Sequence, residues 1–574
     1  MVCTFGDLTD VTWWRELRLP TRAIVRRDGR IAADPPTGLD DGDGRTAYAR
    51  LAGATLTAAR QQSVELLREA GDLLDEPRPI THPVKFYERG TKPLEIVTSR
   101  QWYIRNGGRD DDLRQALLDR GDQLAWWPAY MKVRYRNWVS GLNGDWLISR
   151  QRYFGVPFPV WYRLDLQGNP QHDDPVLADE ASLPVDPSSD TAPGYTESQR
   201  GAPGGFIGDP DVMDTWATSS LTAQLATGWG RDDDLFARTF PMDLRPQGSE
   251  IIRTWLFSSV VRAHYEHDTV PWTNAAISGW VLDPDHKKMS KSKGNAVVPI
   301  PLLTEYGTDA VRYWAAGGAP GTDTAADTGQ MKVGRRLAIK LLNASRFALS
   351  LGDTDDPTLV TEPVDRAMLA GLADVVDAAT EAFDAYHYTR ALERTETFFW
   401  AFCDDYLELV KGRAYGSRGE VAARSAQAAL ASALSVMLRL FAPFLPFVSE
   451  EVWSWWQEGS VHRSPWPEAG PLRAVAGDAD GDVMAVAAAV LGEVRRAKSD
   501  AKRSMRQVGS VDVRDSASRL AALALVRDDV MEAGPWPNWP RPKPRPSRPG
   551  SPWPTRRNGD PHLELVVVTT RIAG

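Results

Sequence analysis

Near Gly329 the spacing of apolar residues changes, and that change limits the possible folds more than any other feature of the chain. Before it, from about Gln101 to Thr328, strand-like runs such as Trp146 to Ser149 and Ala276 to Leu282 alternate with helix-like ones such as Ile251 to Glu266. That alternation predicts a largely parallel α/β sheet. After it, Val333 to Leu351, Asp365 to Tyr386, Thr389 to Tyr415 and Glu420 to Phe441 carry apolar residues three and four apart over long stretches. Such lengths and periods predict an antiparallel helical bundle. A chain of 574 residues is too long for one core. At about 150 residues per domain it should divide into roughly four.

The remaining segments fill in the division. Residues 1 to about 100 mix short apolar runs with Gly and Pro, and carry one amphipathic helix from about Thr46 to Ala70. Between about Arg163 and Pro203 the chain is polar and dense in Pro, Asp and Gly, the composition of a long surface loop or insertion capping the sheet. A helix from Val483 to Ser504 carries Arg495, Arg496, Lys498, Lys502 and Arg503 near its C-terminal end, where cations also suit the helix dipole. From Pro535 to Gly559 there are nine prolines, six basic residues, three tryptophans and no acid, which favours extended, disordered polyproline II over a core. One further strand is expected at Leu563 to Val568. The boundaries are therefore set at 1–100, 101–330, 331–470 and 471–574.

Composition excludes several classes. With 42% hydrophobic and 25% charged residues the chain is neither a membrane protein nor a disordered one. Its net charge of -9 repels phosphates, so any nucleic-acid contact needs local basic patches. The two cysteines, Cys3 and Cys403, have no zinc-ligand spacing, and no metal site is expected. The opening residues lack the pattern of a secretory leader, and no run of about 18 uninterrupted apolar residues follows. A cytoplasmic protein without a membrane partner is expected.

Lysine is scarce, 13 of 67 basic residues, yet Lys287, Lys288, Lys291 and Lys293 fall within seven positions. The cluster follows a strand-like run and the turn signal Asp283-Pro284-Asp285, so it belongs on an exposed loop. Ammonium groups this dense repel one another and are best tolerated where an anion arrives, with Ser290 and Ser292 adding hydroxyl donors. A polyphosphate clamp is one reading; a merely solvated charged loop is the other.

The segment Lys288-Met289-Ser290-Lys291-Ser292, with Lys293-Gly294-Asn295, resembles the signature loop of the class I aminoacyl-tRNA synthetases. The resemblance implies that the loop closes on ATP. Lys288 and Lys291 would be catalytic, and Lys291 would stabilise phosphate charge as a carboxylate attacks the α-phosphate and expels pyrophosphate. Lys288, Ser290, Lys291, Ser292 and Glu250 would bind ATP. Gly144 to Gln151, with Gly155 and Pro159 to Tyr162, is similar to the point where valyl, isoleucyl and leucyl enzymes re-enter the catalytic domain. Asp211 to Trp216 resembles the stretch lining the amino-acid and adenylate pocket, which implicates Asp214 and Trp216. Gly248 to Trp255 is similar to a strand-to-helix turn at the adenylate, with Glu250 as ribose or ammonium partner. Lys340 to Phe347, Phe402 to Glu408 and Leu438 to Trp453 resemble the family's anticodon-binding bundle, and Arg346, Arg390 and Arg394 are its candidate tRNA contacts, with Arg495 and Lys498 on the basic helix that follows.

The opening Cys3 to Trp14 resembles the end of the editing domain in the archaeal-like branch of the valyl enzymes, which implicates Asp10 in binding the ammonium of a mischarged aminoacyl-tRNA. The resemblance implies valine, tRNA(Val), ATP and Mg2+ as partners, editing of mischarged threonine, and a monomer. Threonine is nearly isosteric with valine, and a hydrophobic pocket rejects it weakly. Isoleucyl enzymes are the alternative, although the cysteine-rich zinc module usual at their C-terminus has no counterpart here. The family's His-x-Gly-His signature is absent from the chain, and His264 and His267, which enclose Tyr265 and Glu266, read as ordinary surface residues of a helix. The expected architecture is thus α/β: the C-terminal half of a class I Rossmann-type catalytic domain, then an α-helical anticodon-binding bundle, with a partial editing domain in front. On this reading the chain is an N-terminally truncated piece of a longer enzyme, inactive alone; a non-catalytic tRNA-binding protein is the competing expectation.

Overall fold

Gly53, at φ 75°, interrupts what the apolar spacing presents as a single helix from Thr46 to Ala70. Two helices form instead, Gly42–Leu51 and Leu56–Ala70. The left-handed backbone at Gly53 turns the chain, and the Thr55 hydroxyl caps the second helix by accepting from the Ala58 N–H. The computed structural model describes residues 7–17, 19–36, 38–39, 42–79, 86, 94, 96–97, 99–289, 294–352, 354, 356–500, 508–533 and 567–572. The chain divides into two compact units, residues 1–110 with 143–218, and residues 111–142 with 219–574. The stretch 101–330 therefore contributes to both.

In the first unit, Ile31, Tyr48 and Ala59 form a small core under the two helices. Short antiparallel pairs join Tyr103–Ile104 to Trp146–Leu147 and Ser149–Arg150 to Val212–Met213. The polar stretch 163–203 is not simply a loop. It holds the strand Pro170–Leu177, which pairs antiparallel with Val160–Leu164, itself paired with Phe206–Gly208. The strand is hard to see in the sequence because most of its residues face solvent. Its partners supply the core: Trp161 and Phe206 are buried, and the Arg200 guanidinium lies 4.9 Å over the Phe206 ring.

In the second unit a parallel sheet runs in the order Ala125–Trp127, Trp272–Ser278, Met242–Gly248. Ala275 is in register with both Trp126 and Arg245. Among its helices, Tyr135 on Lys132–Ser140 donates its hydroxyl to the Leu117 carbonyl at 2.8 Å. Gly121 permits that approach, since a Cβ there would lie 2.2 Å from the Tyr135 ring. The expected helix from Ile251 to Glu266 is a π-turn, Ile252–Leu256, running into Phe257–His267. The expected strand from Ala276 to Leu282 breaks at Gly279, where a Cβ would sit 2.0 Å from the Thr322 carbonyl, and resumes as Val281–Leu282 beside Thr324–Ala325.

The bundle follows the apolar spacing closely. Its long helices are Thr328–Ser350, Pro363–Asp384, Tyr388–Ala401 and Glu420–Phe441, with a π-turn Phe402–Tyr406 leading from the third into Leu407–Ala414. The first starts earlier than the spacing suggests because the Asp327 carboxylate caps the Gly329 and Gln330 N–H groups. Glu420–Phe441 is, among the described residues, the one helix long and apolar enough to cross a bilayer, and 83% of its apolar window is buried inside the bundle. Beyond Asp482–Asp500, the strand Val508–Arg514 pairs antiparallel with Val567–Ile572, slightly later than the strand expected at Leu563 to Val568. The expected polyproline segment, 535–559, lies outside the described residues.

Candidate active site

The lysine-rich loop is tied at its base by one acid and one amide. After Val281–Leu282 the chain turns at Asp283, whose Oδ1 accepts the N–H groups of Asp285 at 3.0 Å and Lys287 at 2.8 Å. The Asp283 N–H returns to the Lys287 carbonyl at 2.9 Å. From the far side of the loop, Asn295 Nδ2 donates to Asp283 Oδ2 at 2.8 Å and to the Lys288 carbonyl at 3.2 Å. Donation from the Lys287 N–H and the Asn295 amide holds the Asp283 carboxyl below its ordinary value. Ser290, Lys291 and Ser292 lie outside the described residues.

Lys288 can be followed. Its ammonium sits 3.9 Å from the centroid of the Trp280 ring. The same indole donates Nε1–H to Glu250 Oε2 at 3.1 Å. Glu250 occupies the 3-10 turn Ser249–Ile251 at the end of the strand Met242–Gly248, and Gly248 gives its carboxylate room, since a Cβ there would meet Oε2 at 2.5 Å. The structure thus brings two residues expected at the nucleotide to one tryptophan, Lys288 to its face and Glu250 to its Nε1 edge. Trp280 was not singled out from the sequence, and its signal was its place two residues before the strand end that launches the loop.

Asp214 and Trp216 lie in the first unit. Asp214 Oδ2 receives Arg150 Nη2 at 2.7 Å, and Oδ1 receives the Trp216 N–H at 3.3 Å, so the carboxylate both pairs an arginine and opens the helix Thr215–Ser219. The Asp214 N–H donates to the Ile148 carbonyl at 2.6 Å, fastening this turn to the segment Gly144 to Gln151. Nearby, Gln151 donates to Asp211 at 2.9 Å. Asp209, not anticipated, accepts from Trp102 Nε1 at 2.8 Å and from the Tyr162 hydroxyl at 2.7 Å. Asp209, Asp211, Trp102 and Tyr162 line a cavity of about 470 Å³ with His172 and Arg100 on its wall. Burial, reinforced by the Asp209 carboxylate, pushes the Tyr162 phenol well above its ordinary value.

The remaining expected residues are placed singly. Asp10 lies in the first turn of Leu8–Glu16, its N–H directed to Asp7 Oδ1 at 3.3 Å. Arg346 stacks 5.5 Å over Trp455, and Arg495 is engaged by Asp405 at 2.9 Å. Arg390 and Arg394 are exposed, and Lys498 is on the helix Asp482–Asp500. His264 and His267 are not plain surface residues. Both are half-buried: Arg120 donates to His264 Nδ1 at 3.3 Å, and His267 packs against Trp229, Phe236 and Phe240 with centroids 4.8 to 5.3 Å away. The helix end that carries them closes over an aromatic cluster that the sequence spacing did not reveal. Among the described residues no three His, Cys, Asp or Glu side chains converge as metal ligands.

Parallel strands whose ends carry the lysine loop and Glu250, followed by this bundle, have counterparts among known proteins. Residues 39–327 match the family model for tRNA synthetases class I (I, L, M and V), and residues 365–513 that for the anticodon-binding domain of tRNA ligase. The chain belongs to the class I tRNA synthetase family. It is 66% identical over 538 residues to the Valine--tRNA ligase of Thermobifida fusca, a match covering 93% of this chain and 61% of that protein. It is 61% identical over 556 residues to the Valine--tRNA ligase of Salinispora tropica, covering 93% and 64% respectively. Among solved structures it is similar to Mycobacterium tuberculosis methionyl-tRNA synthetase bound by methionyl-adenylate, at 20% identity and a TM-score of 0.46 over 64% of each chain. The chain spans about three-fifths of the length of the curated relatives it matches.

Proposed function

We propose that this chain serves valine--tRNA ligation: activation of valine by ATP to valyl-adenylate, then transfer of the valyl group to tRNA(Val). The observation that carries the reading is the 66% identity to a Valine--tRNA ligase along 93% of the chain, a stretch that includes the loop and Glu250. In the first step the valine carboxylate oxygen bonds to the α-phosphorus and pyrophosphate leaves. Lys288 and Lys291 supply positive charge to the phosphates as negative charge builds there, and Ser290 and Ser292 add hydroxyl donors. Glu250 accepts a ribose hydroxyl or the substrate ammonium, with Asp214 and Trp216 in the amino-acid pocket. In the second step a terminal ribose hydroxyl of the tRNA attacks the adenylate's carbonyl carbon and AMP leaves.

The described loop offers no carboxylate cage for Mg2+, because Asp283 is committed to the turn and Glu250 to Trp280. Mg2+ would be held by the nucleotide's phosphates and water, and no step is assigned to it. Arg346, Arg390, Arg394, Arg495 and Lys498 are assigned to tRNA, and Asp10 to binding the ammonium of mischarged threonyl-tRNA during editing. The protein works in the cytoplasm as a monomer.

The test on the chain itself is tRNA selectivity. Equilibrium binding should favour tRNA(Val) over tRNA(Ile), with an affinity that falls as salt rises. Equal affinity for the two tRNAs would overturn the assignment. Valine-dependent ATP–pyrophosphate exchange by the chain alone is expected at background.

A further inference from the structure

We propose that Trp280 is a positioning residue for the lysine loop, holding the Lys288 ammonium on its ring face until the nucleotide's phosphates take it over. The indole touches both charges: its Nε1–H reaches Glu250 Oε2 at 3.1 Å, and its face carries Lys288 Nζ at 3.9 Å from the centroid. Donating a proton toward a carboxylate polarises the indole and makes its face a better seat for a cation, so the two contacts reinforce each other. The platform is fixed independently of either charge. The Trp280 N–H donates to Asp323 Oδ1 at 2.8 Å, its carbonyl accepts the Thr324 N–H at 2.8 Å, and the preceding Gly279 is pressed against the Thr322 carbonyl. Glu250 and the first lysine of the loop are thereby referred to the same rigid point.

The contact is exposed and correspondingly weak, which suits a lysine that must leave. A cation on an exposed ring gains enough to shift its occupancy by about two- to fivefold. It seats Lys288 without locking it.

The inference rests on the proposed nucleotide site, and the experiment separates the two. The chain is treated with limiting acetic anhydride, and acetylation of Lys288 is measured by mass spectrometry against its neighbour Lys287, whose exposed ammonium lies 3.7 Å from the exposed Asp285. Lys288 should react about two- to fivefold more slowly than Lys287, since it must leave the ring to be acylated. Trp280→Leu should bring the ratio close to one, while Trp280→Phe, which keeps a ring face, should retain part of the protection. Glu250→Gln, which removes the negative end without touching the ring, should raise the ratio in the same direction and stands in if the leucine variant fails to fold. An unchanged ratio in folded Trp280→Leu, or in Glu250→Gln if only that folds, overturns the inference. ATP should add protection to both lysines in the unsubstituted chain. Absence of that effect would count against the nucleotide site and leave the ratio test standing.

Discussion

Arg413 donates from Nη1 and Nη2 to both carboxylate oxygens of Asp365, at 2.8 and 2.7 Å, and neither side chain is exposed. The rest of the constellation leaves no orphan charge. Tyr406 and Ser425 donate hydroxyls to Asp365 at 2.8 and 2.6 Å, and Arg413 Nε reaches Asp529 at 2.9 Å. Burial alone would lower the guanidinium's pKa, but the Asp365 and Asp529 carboxylates outweigh it and raise it above the ordinary value. Asp529 lies on Arg527–Ala533, so this one arginine fastens the C-terminal segment to the bundle helices on which Asp365 and Tyr406 sit.

Removing one member strands the others. Asp365→Ala should cost about 3–5 kcal/mol, because a buried guanidinium loses its bidentate partner and two hydroxyls lose their acceptor. Urea unfolding followed by circular dichroism measures it, and a loss below about 1 kcal/mol would show that water or a rearranged carboxylate replaces Asp365 readily.

The loop base makes a local prediction. Asn295→Ala removes the amide that ties Asp283 to the Lys288 carbonyl. Trypsin should then cut at Lys287 or Lys288 several-fold faster while global stability is unchanged; an unaltered cleavage rate would mean the amide is not what closes the loop. Because the folded-state Asp283 pKa lies below its ordinary 3.8, the tie is intact above that pH and is lost as pH falls through the lowered value. Acid-tolerant proteolysis with pepsin should show loop opening only at the acid end of such a titration.

The helix Glu420–Phe441 was legible to the residue, since burial on nearly all sides leaves a continuous apolar period with a glycine in front. Thr46 to Ala70 was not, because the period runs through Gly53 and only its left-handed backbone reveals the break. Pro170–Leu177 was hidden by its own exposure, a polar strand having the composition of a loop. Glu250 and Lys288 were found through family resemblance. Trp280 was missed because its bond to Glu250 spans 30 residues and depends on two strands lying in register. Arg413 could not be read at all, as arginine is ordinarily a surface residue and its pairing exists only in three dimensions.

Arg150 and Asp214 test whether that pair holds the segment Gly144 to Gln151 to the turn before Thr215–Ser219. Asp214→Ala loses both the ion pair at 2.7 Å and the acceptor for the Trp216 N–H. A cost of about 1–3 kcal/mol is expected, most of it from the lost acceptor, since Arg150 is 39% exposed and solvent screens its charge. Asp214→Asn, which retains an acceptor, should recover more than half. Equal losses in the two variants, measured by thermal denaturation, would assign the cost to charge instead.

Cys403 links burial to pH. The thiol lies in the bundle core, and burial pushes its pKa up to about 12 from an ordinary 9.0, with Lys340 opposing and Asp404 adding slightly. A folded-state pKa above the unfolded one favours the native state fully below pH 9.0, and the advantage is lost as pH rises from there toward about 12. Over that window the unfolded chain has released the thiol proton while the folded chain keeps it, so stability falls by at most about 1.4 kcal/mol per pH unit from this group. Lysines and tyrosines titrate in the same range, so the informative quantity is the difference between the chain and Cys403→Ala. The variant should lose less stability than the parent between pH 9 and about 10.5, and parallel curves would mean the thiol is reached by water. Iodoacetamide at pH 8 should correspondingly leave the Cys403 peptide unmodified in the folded protein and alkylate it fully in urea, because only the thiolate reacts and burial withholds it.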